Sequence, residues 1–219
     1  MSKKHPVIGF TIGDPAGIGP KITLDAIQYF LKMNVLVPVL FGSKEVFDHH
    51  YLKEQFSQCP IVYDNGSAFE RTDCIYFVNS DTKRTFPLSK PSQAAGALSY
   101  KYIKTATEYA LNHRIDALVT GPISKESFSL ANIPFTGHTT LLKALTQSKQ
   151  IAMAFHSPKL NVVLATIHVS LKEVSSVLDR VCLSNAIVSA VELMTLLGKK
   201  TYHIAVAGLN PHASENGLF

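Results

Sequence analysis

The chain has 219 residues, of which 46% are apolar and 17% charged, with a formal net charge of +5. That length suits one large globular domain or two small ones, and the apolar share excludes a disordered chain. The longest clean apolar run, "VLVPVLF", is far too short to cross a bilayer, and the lysines are scattered without the basic–aromatic interleaving of single-strand binders.

Neither a membrane nor a nucleic acid is therefore the expected partner. A basic surface of this kind is either simply solvated or steers an anionic small substrate. The opening "MSKKHPVIGF" lacks the sustained apolar stretch and small-residue cleavage site of an export signal, so a cytoplasmic location is expected. Cys59, Cys74 and Cys182 are widely spaced and form no CxxC pair. They read as reduced, mostly buried thiols, not as a disulfide framework or a zinc site.

In chain order, "PVIGFTI" is a strand, the glycine-rich "GDPAGIGP" a loop, and "ITLDAIQYFLKM" a helix. "VLVPVLFG" is a second strand, and "SKEVFDHHYLKEQF" a helix opened by a serine cap. "CIYFV" is followed by a long helix, "SQAAGALSYKYIKTATEYALNH", and then by the strand "DALVTGP". "IAMAF", "LNVVLATIHVS" and "YHIAVAGLN" complete the predicted strands. The helix "RVCLSNAIVSAVELMTLLGKK" is apolar on nearly every side, which predicts burial, with core favoured over a dimer seam.

This alternation predicts an α/β fold, with parallel or mixed sheets covered by helices. Domain boundaries are soft, and the stretch at 88–96, "LSKPSQAAG", is the expected crossing. Residues 1–90 or so would form the first part of an N-terminal α/β domain, and about 91–219 a second α/β region. The chain stops at Phe219 directly after a predicted strand and loop, where a covering helix is expected. It therefore reads as an incomplete two-domain unit.

In parallel α/β sheets ligands gather at the carboxyl ends of strands. Those ends are "TIGDPAGIGP", "LVTGPISKESF", "ATIHVSLKEV" and "VAGLNPHASENG". The first fits neither the Walker A spacing nor GxGxxG, since its glycines fall at 13, 17 and 19. It is a tight structural turn or a ligand loop, with Asp14 capping or lining it.

His5, His49, His50 and His113 have ordinary explanations near a terminus or on helix surfaces, and His156 and His203 read as core residues in or beside strands. His168 and His212 differ, because each lies at or beyond the end of an apolar strand. Imidazoles placed there are candidate divalent-metal ligands or catalytic groups, though two ligands are too few for a tight site. In "TGHTT", His138 and Thr139 open a helix, where uncapped N–H groups favour an anion, unless Thr136 or Thr139 is an ordinary cap. Lys125 is either a phosphate contact or a solvated lysine. Glu173 and Asp179 form no recognisable acid/base pair, and no GxSxG elbow supports nucleophilic catalysis.

Taken together, "GDPAGIGP", "TGPISK", "FTGHTTLL", "ATIHVSL" and "GLNPHASENG" resemble the 4-hydroxythreonine-4-phosphate dehydrogenase family of pyridoxal phosphate biosynthesis. The resemblance implies a two-domain architecture like that of the isocitrate and isopropylmalate dehydrogenases, with a cleft between the domains. It implies a homodimer whose sites are shared between subunits, and NAD or NADP bound without a Rossmann glycine pattern. His168 and His212 would be metal ligands for zinc, magnesium or cobalt, and His138 and Thr139 would contact the phosphorylated substrate. The cofactor contacts, and any catalytic residue beyond the metal ligands, stay unassigned.

The implied reaction oxidises the β-hydroxy acid 4-hydroxythreonine 4-phosphate and decarboxylates it to 3-amino-2-oxopropyl phosphate. The family's third metal histidine lies in a C-terminal segment that this chain lacks, so its metal site should be incomplete. Thr140, Lys21, Ser214 and Asn216 also depart from the family's usual residues. Two other readings stand beside this one. One is the same chemistry on a phosphorylated sugar acid or a dihydrodiol carboxylate. The other is a shortened, inactive protein that binds metal or dimerises.

Overall fold

The structure is a computed structural model that describes residues 5–48, 59–80 and 85–218. The chain divides into two compact units, Met1–Ser148 and Lys149–Phe219.

The first unit carries a five-stranded sheet built from β1 (Val7–Thr11), β2 (Val37–Gly42), β3 (Ile61–Tyr63), β4 (Ile75–Asn79) and β5 (Ala117–Thr120). All four pairings are parallel, in the order β3-β4-β2-β1-β5. Continuous burial along β2 explains its unbroken apolar sequence, because both of its faces are covered. The edge strand β5 is half exposed instead.

Helix α1 (Gly19–Met33) starts with Pro20 in its first turn and ends at Asn34 in the left-handed region, the usual N-terminal proline and C-terminal αL pattern. Short α2 (Lys44–Phe47) follows β2. The rest of the helix predicted through residue 56 lies outside the described residues. The long α3 (Gln93–Leu111) is capped by the Ser92 side chain, which accepts from the Ala95 N–H, and it lies against β1, β2 and β5. Thus the stretch at 88–96 leads into a helix of the first unit.

Helices α4 (Lys125–Leu130) and α5 (His138–Thr146) pack beside α3. The main core joins Phe10, Leu24, Ile27, Leu40, Phe41 and Phe77 with Leu98 and Tyr102 of α3. A satellite cluster of Ile103, Phe128 and Leu141 seats α5.

The second unit holds an antiparallel pair, β6 (Ala154–His156) with β7 (Asn161–Val163), followed by α6 (Leu171–Val177) and α7 (Arg180–Leu196). Glu173 and Asp179, which sequence could not place as an acid/base pair, are helix caps. Glu173 closes a capping box with Ser170, and Asp179 accepts from the Cys182 N–H.

Three expectations are corrected here. The segment "YHIAVAGLN" joins no ladder, and only Asn161–Val163 of "LNVVLATIHVS" is strand. No residue of α7 is buried, and Val181 and Leu196 are 65% and 85% exposed, so the expected core position fails within this chain. A helix apolar all round needs partners on every side, and a two-stranded hairpin cannot supply them. Finally, His156 and His203 are exposed, not core residues.

Candidate functional site

β2 pairs with one side of β1 and β5 with the other, so the strand order reverses at β1. At such a switch point the carboxyl ends of the two neighbouring strands are the expected place for a ligand. Here the loops leaving those ends are Ile12–Ile18 after β1 and Gly121–Ser124 after β5.

Backbone contact locks the two loops together. Gly121 N–H donates to the Thr11 carbonyl at 2.9 Å, and Asp14 N–H donates to the Pro122 carbonyl at 2.8 Å. A Cβ on Gly13 would lie 2.3 Å from the Pro122 oxygen, and one on Gly121 would lie 2.7 Å from the Thr11 oxygen. Gly13 also has φ +73°, in the left-handed region. The glycines are needed because backbone approaches backbone, which is a structural reason and not a phosphate-cradle one.

Asp14 does more than line the loop. Its buried carboxylate accepts from the Ala16 N–H at 2.9 Å and from the Ser127 hydroxyl at 3.1 Å. Ser127 Oγ in turn accepts from the Ser92 N–H at 3.3 Å. One carboxylate thereby links the glycine loop, the start of α4 and the start of α3. Sequence reasoning missed Ser127 and Ser92, which lie 113 and 78 residues from Asp14, and no local pattern marks them. Lys125 is exposed at the first position of α4.

His138 and Thr139 begin α5, where Gly137 is the N-cap and supplies no side chain, and neither Thr136 nor Thr139 caps the helix. The alternative of an ordinary threonine cap therefore does not hold. Both residues are half-buried. Burial holds the His138 imidazole below its ordinary pKa, against the Gly121 backbone, which acts to raise it. Its Nε2 is buried without a hydrogen-bond partner.

His168 and His212 both belong to the second unit and both are exposed. Each has positive φ, +57° and +52°. His212 lies in the 3₁₀ turn Pro211–Ser214, with Nδ1 3.6 Å from Glu215 Oε1. Two imidazoles are chemically suited to a divalent ion. Among the described residues, however, no group of three or more His, Cys, Asp or Glu is arranged to hold one. The described part of the chain does not make a metal centre by itself. No single helix among the described residues is long and apolar enough to cross a membrane.

Residues 34–219 match the family described as "Pyridoxal phosphate biosynthetic protein PdxA". A 4-hydroxythreonine-4-phosphate dehydrogenase of Desulforapulum autotrophicum is 33% identical over 223 residues, covering 100% of this chain and 66% of the relative. A protein of Halalkalibacterium halodurans, provisionally named a D-threonate 4-phosphate dehydrogenase, is 32% identical with the same coverage. The crystal structure of a 4-hydroxythreonine-4-phosphate dehydrogenase from Klebsiella pneumoniae superposes with a TM-score of 0.82 at 29% identity, covering 100% of this chain and 67% of that one. The chain thus spans about two thirds of the length of these relatives.

Proposed function

Because the chain belongs to the PdxA family of pyridoxal phosphate biosynthetic proteins, we propose that it carries much of an NAD- or NADP-dependent dehydrogenase for 4-hydroxythreonine 4-phosphate. The observation that carries this reading is the switch point at β1, where the loops after β1 and β5 are bound to one another through Asp14 and Gly121, beside α5, whose first turn has no side-chain cap.

Thr139 and the backbone N–H groups of the first turn of α5 would hold the phosphate, since no side chain caps them. Fixing that remote group positions the reacting carbons. In the reaction, hydride leaves the C3 carbinol for the nicotinamide ring while the hydroxyl gives up its proton. The resulting β-keto acid then loses carbon dioxide, and a proton replaces the carboxylate on the enol carbon. His168 and His212, with further donors from outside this chain's described residues, would hold a divalent cation (zinc, magnesium or cobalt), which would supply Lewis acidity. A homodimer with shared sites is part of the same proposal.

The Halalkalibacterium relative supports a second reading, in which D-threonate 4-phosphate is the substrate. The two candidates differ at C2, amino against hydroxyl, and share the phosphate and the C3 hydroxyl. Purified chain, cofactor and divalent metal are mixed with each acid, and NADH or NADPH absorbance is followed. Turnover of the amino acid at the higher kcat/KM supports the first reading. Preference for the hydroxy acid selects the second, and absence of turnover with both removes the activity from this chain.

A further inference from the structure

Helix α1 turns apolar side chains outward as well as inward. Its inner face is seated in the main core, where Leu24 and Ile27 are buried and Phe30 and Leu31 pack against the same cluster. A surface helix anchored in this way normally turns charged and polar residues to water. The exposed positions of α1 are instead Ile22, Tyr29, Lys32 and Met33, and the N-cap Ile18 is exposed as well. Ile18, Ile22, Tyr29 and Met33 are 63%, 42%, 61% and 50% exposed. At about 100° per residue these four fall within an arc of roughly 60°, which makes one apolar stripe along the helix. The case differs from α7, where no residue is buried and no seated face defines an outer one.

The spacing of the stripe identifies what fits it. Its steps are four, seven and four residues, so it reads the same from either end. When two such helices lie antiparallel about a two-fold axis, Ile18 meets the second copy's Met33, and Ile22 meets the second copy's Tyr29. A surface that complements itself in this way is what an isologous contact requires. Tyr29 is held edge-on against Phe30, with ring centroids 5.4 Å apart, so it is a pre-ordered aromatic anchor of the kind that dominates interface energies. On the flank of the stripe, Lys21 and Asp25 are paired with each other.

We infer that the outer face of α1 is a seam between two copies of this chain, packed antiparallel with Ile22 and Tyr29 at its centre. The seam lies wholly within the first unit and stands whether or not the proposed activity does.

Sedimentation velocity of the full chain over a range of concentrations is the test. The unaltered chain should associate to a dimer, and Tyr29→Lys should weaken that association at least about tenfold, the cost of a central aromatic anchor. Val188→Asp on α7 should leave it unchanged. Tyr29 and Val188 are both exposed, so each variant should keep the parent's circular dichroism and unfolding midpoint. A monomeric parent chain, a dimer indifferent to Tyr29→Lys, or one broken by Val188→Asp overturns the inference. So does a monomer that floats with vesicles of phosphatidylcholine and phosphatidylglycerol, since a lipid surface would then be the occupant.

The register has its own readout. Chains carrying Ile22→Cys are mixed with chains carrying Tyr29→Cys, and glutathione disulfide is added as the oxidant, which is reduced as two thiols join. Peptide mapping should find more bridges between positions 22 and 29 than between two copies of either position. The reverse order overturns the antiparallel seam.

Discussion

Gly13 and Gly66 both have positive φ, +73° and +90°, yet they answer to different constraints. A Cβ on Gly66 meets nothing within 4 Å, whereas one on Gly13 lies 2.3 Å from a backbone oxygen. Gly66→Ala should cost about 1 kcal/mol for its backbone conformation alone, and Gly13→Ala about 3 kcal/mol or more, because the loop after β5 must also move. Thermal unfolding separates them. His138 adds a pH dependence with a definite sign. Its folded pKa is lowered from 6.5, so its contribution to stability is complete above that value and is lost as pH falls through the folded pKa. Replacing His138 by Gln should flatten that part of the stability–pH curve, measured as urea midpoints. Neither effect was legible locally: "GDPAGIGP" shows that a tight turn exists, but not that a second loop rests on it.

Helix α3 shows how one element's end can be fixed by side chains remote in sequence. Asp64 accepts from Arg114 at 2.9 and 3.2 Å, from the Gly66 N–H at 3.1 Å, and from the Tyr109 hydroxyl. The Arg114 guanidinium also lies 4.7 and 4.6 Å from the ring centroids of Phe69 and Tyr109. Burial pushes the Asp64 carboxyl up, but hydrogen bonds from Arg114 and Tyr109 outweigh it and hold the pKa below its usual value. Burial, then the Asp64 acceptor, push Tyr109 from 10.0 up to about 12. A raised pKa means stability that is fully present below pH 10 and is lost as pH rises towards about 12. Tyr109→Phe should therefore cost about 1 kcal/mol at neutral pH and should unfold less steeply in alkali than the parent chain, followed by circular dichroism. At this scale the sequence marked α3 from Ser92 onward almost to the residue, since a long helical run of this kind is a local signal. It missed the three-residue β3, which is too short for a period of two to show.

Across the whole molecule the two units differ in what holds them. The first has a continuous core in which Leu24, Ile27 and Phe41 are essentially inaccessible, while no described residue of the second is buried. Leu24→Ala should cost about 2–5 kcal/mol, whereas Val188→Asp on α7 should stay within about 0.5 kcal/mol. Limited proteolysis of the full chain should cut within residues 149–218 well before the five-stranded sheet. Val188→Asp as costly as Leu24→Ala would mean that α7 is buried in solution. Periodicity, caps and turn residues specified most elements of the first unit from local signals, because each depends on neighbours three to five residues away. The order β3-β4-β2-β1-β5, the Asp14–Ser127 link and the unpartnered Nε2 of His138 were settled only by tertiary contact. They join residues about a hundred positions apart or depend on what a finished fold leaves unpaired. The absent ladder at 202–210 has the same origin: apolar residues favour a strand, but hydrogen-bonded pairing requires a neighbour that local sequence cannot supply.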